Sequence, residues 1–197
     1  MKLFWCPKTR AVRALWMLEE LGVPYERVRI DIRDAAAKDN PAFRAVSPMG
    51  KVPALEDGAT RLWDSGAICG YLADKYPQAA LAPAIGHPDR GAYLQWLLYT
   101  NAAIEPAMAE KFSQAAVSTS SHGWGSFDLM LKVLREGLAR GPWVLGERFS
   151  AADVLLGTSC SFMRQFKILD NEPGLFAYTD RCMARPAFQR AAALDVL

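Results

Sequence analysis

The first 77 residues change repeatedly between the hydrophobic period of strands and that of helices. Residues 2–5 form a short apolar run that Pro7 stops, which indicates a strand. Residues 10–21 then carry apolar positions at the i, i+3, i+4 and i+7 spacing of one helix face, and Gly22 is placed to end that helix. Residues 28–32 alternate apolar and charged positions, as a half-buried strand does.

The same stretch continues with weaker signals and a clear hairpin. Residues 34–43 are polar and Ala-rich, which predicts a weak helix interrupted by Pro41. Residues 52–55 and 60–63 predict two strands around Asp57-Gly58, with a loop slightly longer than the tightest hairpin type. A helix over 66–75 follows and is ended by Pro77. The order β-α-β-α-β-β-α therefore predicts a small α/β domain over residues 1–77.

The remainder of the chain is predicted to be all-helical. Residues 78–88 are rich in Ala, Pro and Gly and predict a linker before a helical domain over 89–197. We expect a helix from 89 to about 113 with a kink at Pro106, and an apolar stripe predicts a second helix over 127–138. Ser150 and Asp153 have the spacing of a helix capping box. The predicted fold class is thus α/β followed by all-α.

Composition narrows the function classes without selecting one. The 197 residues are 51% hydrophobic and 22% charged, and the net charge of +2 is spread without a basic stripe, which disfavours nucleic acid as a partner. No apolar run approaches the ~18 residues of a membrane span. The four cysteines lie far apart, which argues against a zinc site or a disulfide scaffold, so we expect no metal and a reducing, cytoplasmic compartment.

Cys6 is the first candidate for chemistry. It lies at a strand end just before a helix, where unpaired N–H groups, the helix dipole and the charges of Lys8 and Arg10 favour thiolate over thiol. The alternative is a small apolar residue that only packs in the core. Because Thr9 replaces a second cysteine, dithiol cycling is disfavoured, whereas exchange with a small external thiol stays open.

Two further positions are suited to an extended, anionic ligand. Pro53 precedes a strand, and a cis bond there would leave the backbone of Val52 open to an extended ligand; an edge-strand start is the alternative. Asp64 and Ser65 begin the helix over 66–75, where N–H groups and a hydroxyl suit a carboxylate. An ordinary helix cap is the alternative there.

In sequence order these pieces resemble the cytosolic glutathione transferase family, of a bacterial type, over nearly the whole chain. The resemblance is carried by Leu3-Phe4-Trp5-Cys6-Pro7 with Val12-Arg13, by Ala14 to Glu26, by Ser47-Pro48-Met49-Gly50-Lys51-Val52-Pro53-Ala54-Leu55, by Asp64-Ser65-Gly66-Ala67-Ile68, by Tyr71-Leu72 to Tyr76-Pro77 and by Ser150-Ala151-Ala152-Asp153. It implies a thioredoxin-like N-terminal domain, an all-α C-terminal domain, glutathione as co-substrate and a homodimer.

The resemblance also implies residue roles for glutathione binding. Pro53 would be a cis-proline and Val52 would pair its backbone with the cysteinyl unit of glutathione. Ser65, with Asp64, would bind the γ-glutamyl carboxylate. Lys38 and Lys51 are candidates for the glycine carboxylate.

At the catalytic position the chain departs from most relatives. Many members place Ser or Tyr there to stabilise the glutathione thiolate, whereas this chain has Cys6-Pro7, as in the omega-like branch. A thiol is a weak donor but a good nucleophile, which shifts the expected chemistry from conjugation toward thiol transfer with a disulfide. Thr9 keeps conjugation to a small-molecule electrophile open, since its hydroxyl lies one turn away.

Large apolar side chains are the candidates for contact with a second, apolar substrate. The candidates are Trp5, Met108, Phe112, Trp124 and Phe162, each of which could instead be a core residue. A different class of function, a non-catalytic member that only binds partners, is disfavoured because Val52-Pro53 and Ser65 retain a glutathione cradle.

Overall fold

The chain divides into two compact units in a computed structural model that describes residues 1–113 and 119–196. One unit comprises Met1–Ala79 together with the chain from Arg185 onward, and the other comprises Ala80–Ala184. No helix within the described ranges combines the length and the apolar character needed to cross a membrane.

The first unit is built on a four-stranded sheet in the order β2-β1-β3-β4. Strands β1 and β2 are parallel, and the other neighbouring pairs are antiparallel. Phe4 on β1 packs beside Phe43, with ring centroids 5.7 Å apart, while strand alternation turns Leu3 to the opposite face. The predicted α/β fold is confirmed, with elements β1 Lys2–Trp5, α1 Ala11–Leu21, β2 Glu26–Arg29, α2 Ala35–Lys38, α3 Pro41–Val46, β3 Ala54–Asp57, β4 Thr60–Trp63 and α4 Ser65–Lys75.

Strand β2 differs from its prediction over 28–32. The strand ends at Arg29, although the Ile30 N–H still donates to the Trp5 carbonyl at 2.8 Å. The Asp31 carboxylate then accepts from the Arg33 N–H at 3.0 Å and turns the chain away from the sheet. Ile30 is nevertheless buried, so its apolar character reflects the core rather than a longer strand.

One local prediction is confirmed in part and another is corrected. The helical stretch over 34–43 is interrupted as expected, but the break lies just before Pro41: α2 ends at Lys38, and Pro41 begins α3, because the Asn40 side chain caps that helix and Pro is favoured in a first turn. The hairpin loop is of the tightest, two-residue kind, since Asp57 pairs with Thr60. Gly58 adopts φ 60° there, a conformation that suits glycine.

The second unit is helical in its described residues, as predicted. Its elements are α5 Arg90–Tyr99, a π-helical segment Thr100–Ile104, α6 Glu105–Ser113, α7 Phe127–Leu138, α8 Ala151–Gln165 and α9 Pro173–Met183. Helix α8 supplies much of the core and begins with the predicted capping box of Ser150 and Asp153. A kink was expected at Pro106; the regular helix changes before that residue, in the π-helical segment, where the Glu105 N–H donates to the Thr100 carbonyl five residues back. Pro106 has no N–H of its own to continue the regular ladder.

The last helix, α10 (Pro186–Leu194), packs in the first unit against α1. Arg185 forms two hydrogen bonds to the Glu20 carboxylate, at 2.6 and 2.8 Å, and Phe188 meets Trp16 edge-on at 5.1 Å. The predicted boundaries at residues 77 and 89 assign this helix to the helical domain. By contacts, it belongs with the sheet-containing unit.

Candidate functional site

The loop between β1 and α1 carries both predicted catalytic residues. Cys6 is buried, with 1% of its surface exposed, at the end of β1. The Thr9 hydroxyl donates to the Cys6 carbonyl at 2.7 Å and accepts from the Ala11 N–H, the first of α1, at 3.2 Å. The two side chains therefore differ in access, although they lie three residues apart.

A cavity of about 280 Å³ opens beside this loop within the first unit. It is lined by residues 8–10, Ile32, Lys38 and residues 50–52. A smaller cavity of about 140 Å³ shares Lys38, Gly50 and Lys51 with it. The structure thus brings together Thr9, Lys38, Lys51 and Val52 from the predicted set, whereas Cys6, Pro53, Asp64 and Ser65 are not among the lining residues.

The charge of the main cavity is positive. Its lining includes Lys8, Arg10, Lys38 and Lys51 and no carboxylate. In the described part of the chain, the ammonium groups of Lys38 and Lys51 form no ion pair. Within the described residues, no three His, Cys, Asp or Glu side chains lie together as a metal site requires. The arrangement suits an anionic organic ligand.

The turn before β3 forms one wall of this cavity. The buried Ser47 hydroxyl donates to the Lys51 carbonyl at 2.8 Å and accepts from the Lys51 N–H at 3.0 Å, which fixes the turn. Gly50 adopts φ 62°, and a Cβ there would lie 2.8 Å from Nη1 of Arg44. The Val52–Pro53 bond is cis. Among the described residues, the backbone N–H and C=O of Val52 form no hydrogen bond and remain open to an extended ligand.

Asp64 and Ser65 make the contacts of a helix start. Asp64 has φ 77°, and its carboxylate accepts from the Gly66 N–H at 2.8 Å, which caps α4. The Ser65 hydroxyl is buried and lies 3.3 Å from Nη1 of the buried Arg13, which donates to it. Both residues thus build the N-terminus of α4, where backbone N–H groups and a positive dipole end can meet a carboxylate.

The predicted second-substrate residues separate into core and surface positions. Trp5 and Met108 are buried, and the Arg27 guanidinium covers the Trp5 ring at 5.2 Å. Phe112 is 57% exposed and contacts Phe166 edge-on at 5.6 Å. The rings of Phe166 and Phe162 lie 6.0 Å apart. Phe112 and Phe162 therefore belong to one aromatic group in the second unit.

Trp124 lies apart from that aromatic group. Its indole N–H donates to the Glu110 carboxylate at 3.0 Å, and its ring stacks on His122 at 4.5 Å. Both residues line another cavity, of about 320 Å³, in the second unit.

Two residues were not predicted from the sequence: Ser47, which fixes the turn at the cavity wall, and Phe166, which belongs to the aromatic group of the second unit. Ser47 was part of a recognised motif, but its role depends on hydrogen bonds to a residue four positions later. Phe166 lies one helical turn after Phe162, and that spacing could have indicated it.

Comparison with known proteins agrees with this geometry. Residues 1–74 match the family model of the glutathione S-transferase N-terminal domain. The chain is 27% identical over 200 residues to glutathione S-transferase GstA of Escherichia coli O157:H7, covering 100% of both. It is 27% identical to the disulfide-bond oxidoreductase YfcG of Escherichia coli strain K12, over 96% of this chain and 93% of that protein.

A solved structure extends the match to the whole fold. A sphingomonad glutathione S-transferase in complex with glutathione superimposes with a TM-score of 0.81 at 31% identity, over 99% of this chain and 98% of the other. The sheet-containing unit, the cationic cavity and this full-length similarity lead to one conclusion: the chain belongs to the glutathione S-transferase family.

Proposed function

We propose that the cavity beside the β1–α1 loop binds glutathione, and that the reacting thiolate is that of glutathione rather than of Cys6. The observation that carries this is the difference in access between two neighbouring residues. Thr9 lines the cavity, whereas Cys6 is 1% exposed and does not. A nucleophile must reach its substrate, so the position of Thr9 favours conjugation with glutathione as co-substrate.

The cavity walls match the parts of glutathione. Lys38 and Lys51 would pair with the glycine carboxylate, and both ammonium groups are without an ion pair within the described residues. The open backbone groups of Val52 would pair with the cysteinyl unit, with Pro53 shaping the turn. The γ-glutamyl carboxylate would lie outside the cavity lining, at the N-terminus of α4, where Asp64 is exposed and Ser65 is buried beside Arg13.

Thr9 would stabilise the thiolate together with the N-terminus of α1. A hydroxyl has one hydrogen, which Thr9 now directs to the Cys6 carbonyl. In the complex that hydrogen turns to the sulfur, while the Ala11 N–H continues to donate to the hydroxyl. A charge-assisted hydrogen bond to a thiolate is stronger than a neutral one, which favours the exchange.

In the conjugation step, the glutathione sulfur forms a bond to an electrophilic carbon, and the leaving group departs with its electron pair. Phe112 and Phe162, which form an aromatic group with Phe166 in the second unit, stay candidates for contact with an apolar electrophile. Trp5 and Met108 are buried, each in the core of its own unit, and Trp124 lines a different cavity.

A second candidate reaction is glutathione-dependent disulfide reduction. It is favoured by the similarity to YfcG, a disulfide-bond oxidoreductase. The glutathione thiolate would attack one sulfur of the disulfide and form a mixed disulfide, while the other sulfur leaves as a thiolate. The same cavity and the same Thr9 would serve this step.

Paired variants of the two loop residues test the proposal. Thr9→Val removes the hydroxyl at constant shape and should lower kcat/KM for an aromatic halide by about 100-fold, as loss of one catalytic donor does. Thr9→Ser should restore most of the rate, and Cys6→Ala should remain close to the parent. The opposite pattern, with activity lost in Cys6→Ala and kept in Thr9→Val, would overturn the proposal.

Two binding measurements separate the alternatives. Calorimetric titration with glutathione should show binding, and absence of heat would favour a non-catalytic binding protein. Mass spectrometry after incubation with oxidised glutathione should find no adduct on Cys6. An adduct there would favour an omega-like thiol transferase.

A homodimer in the cytoplasm is the assembly and location we propose from family membership.

A further inference from the structure

The side chain of Asp195, directly after α10, contacts the β1–α1 loop. Both of its carboxylate oxygens lie 3.2 Å from the backbone nitrogen of Lys8, whose N–H donates to them. The two residues are 187 positions apart in the chain and lie in the same compact unit. Asp195 is 6% exposed. Burial of a charged carboxylate costs free energy, and its hydrogen bonds must offset that cost.

The backbone at Lys8 is in a conformation that needs support. Lys8 has φ 59°, in the left-handed region that residues with a Cβ rarely adopt. Its peptide N–H points to the Asp195 carboxylate, and the next residue is Thr9, whose hydroxyl accepts from the first N–H of α1. The carboxylate therefore stabilises the backbone geometry at Lys8, directly before Thr9, in the part of the loop that lines the cavity.

The helix that carries Asp195 is itself held in place by ionic contacts. Arg190 pairs with the Glu19 carboxylate of α1, with Nε and Oε2 2.9 Å apart. Next to Asp195, the Leu194 carbonyl accepts from Nη1 of Arg27, on β2, at 2.9 Å. The carboxylate is thus presented from a fixed position between α1 and the sheet.

We propose that Asp195 is a positioning residue for the glutathione site: it holds Lys8 in its left-handed conformation and so directs Thr9 and the N-terminus of α1 at the bound sulfur. This inference rests on the proposed function. Asp195 does not line the cavity and acts through the Lys8 backbone.

The test compares variants that affect the loop with one that affects only helix docking. Asp195→Ala removes the acceptor, and Asp195→Asn keeps one acceptor oxygen with the same shape. Arg190→Ala is the matched control, because it weakens the contact of α10 with α1 without touching Lys8. The readouts are ultraviolet titration of the thiolate of bound glutathione, separate kcat and KM values, and thermal unfolding.

We expect Asp195→Ala to raise the pKa of the bound glutathione thiol by about one unit and to lower kcat about tenfold, because Lys8 loses its acceptor and the Thr9 hydroxyl and the N-terminus of α1 are then less well aligned with the sulfur. This misalignment must outweigh the removal of the Asp195 negative charge, which by itself would lower the pKa of the thiol. The KM for glutathione should change less, because the carboxylate contacts at Lys38 and Lys51 remain. Asp195→Asn should give a thiol pKa and a kcat between those of the parent and of Asp195→Ala, because it keeps one acceptor oxygen for the Lys8 N–H. Arg190→Ala should lower the unfolding temperature without moving the thiol titration.

The outcomes distinguish the inference from the proposal beneath it. If the parent lowers the thiol pKa of glutathione and both Asp195 variants lower it equally, the positioning role is wrong while the proposed function stands. If the kcat loss in the Asp195 variants merely follows their loss of stability, as in Arg190→Ala, the role is structural and the inference also fails. If the parent leaves the thiol of glutathione unperturbed, the proposed function itself is wrong.

Discussion

Substitution of Asp153 should destabilise the second unit by an amount that its hydrogen bonds determine. The side chain is fully buried at the start of α8. One oxygen accepts from the Val144 N–H and from the Tyr178 hydroxyl, each at 2.9 Å. The other accepts from the Ser150 N–H at 3.0 Å and from the Ser150 hydroxyl at 3.2 Å. All four contacts place a donor against an acceptor-only group.

Asp153→Asn replaces one of these oxygens by an amide NH₂. Hydroxyls can rotate to accept from that group, but a backbone N–H cannot, so either Val144 or Ser150 loses its partner. An unsatisfied buried donor costs about 1–3 kcal/mol, and we expect a loss of about 2 kcal/mol. Asp153→Ala leaves both N–H groups without acceptors, and the same reasoning gives about 4 kcal/mol.

Urea unfolding with fitted midpoints and slopes measures these losses. Asp180→Ala is a suitable control, because its ion pair with Arg164 on the surface of the same unit should contribute less than about 1 kcal/mol. A free energy of unfolding for Asp153→Asn within about 0.5 kcal/mol of the parent would refute the reasoning, since the backbone donors would then not depend on this carboxylate.

Two other predictions concern the thiols and the cavity charge. Burial raises the pKa of the Cys69 and Cys160 thiols to about 12. At pH 8 a thiol reagent should therefore label neither cysteine in the folded protein and both in denaturant. Rapid labelling of these two cysteines in the folded chain would contradict their burial. Lys38→Ala and Lys51→Ala should each weaken glutathione binding several-fold at low salt and less at high salt, measured by calorimetry, because the contact is electrostatic. The surface control Lys132→Ala should bind as the parent does, and equal weakening in all three would rule out a local role for the cavity cations.

Local sequence signals predicted most of the element order. Gly22 and the Pro residues that flank helices act through their own backbone conformations, so their effect is independent of distant contacts. The capping box of Ser150 and Asp153 is likewise local, since its donors and acceptors lie within one turn. These features were therefore visible in the sequence.

The ends of β2 and the place of α10 were not predictable in this way. Ile30 belongs to an alternating apolar pattern that predicts a strand, yet the chain turns away from the sheet there, because the Asp31 carboxylate accepts from the Arg33 N–H. The apolar face of α10 indicates that the helix packs on something but not on what, and only the contacts show that the partner is α1.

The loop after β1 shows the same division at the candidate site. From the sequence alone, Cys6 was the first candidate for the reacting group and Thr9 was the alternative, because both lie at the start of a helix and within one turn of each other. Burial by the surrounding elements separates them: Cys6 turns into the core while Thr9 lines the cavity. The contact of Asp195 with Lys8 joins residues 187 positions apart in the sequence. A hydrogen bond between residues that far apart depends on the packing of whole elements, so only the tertiary structure could decide it.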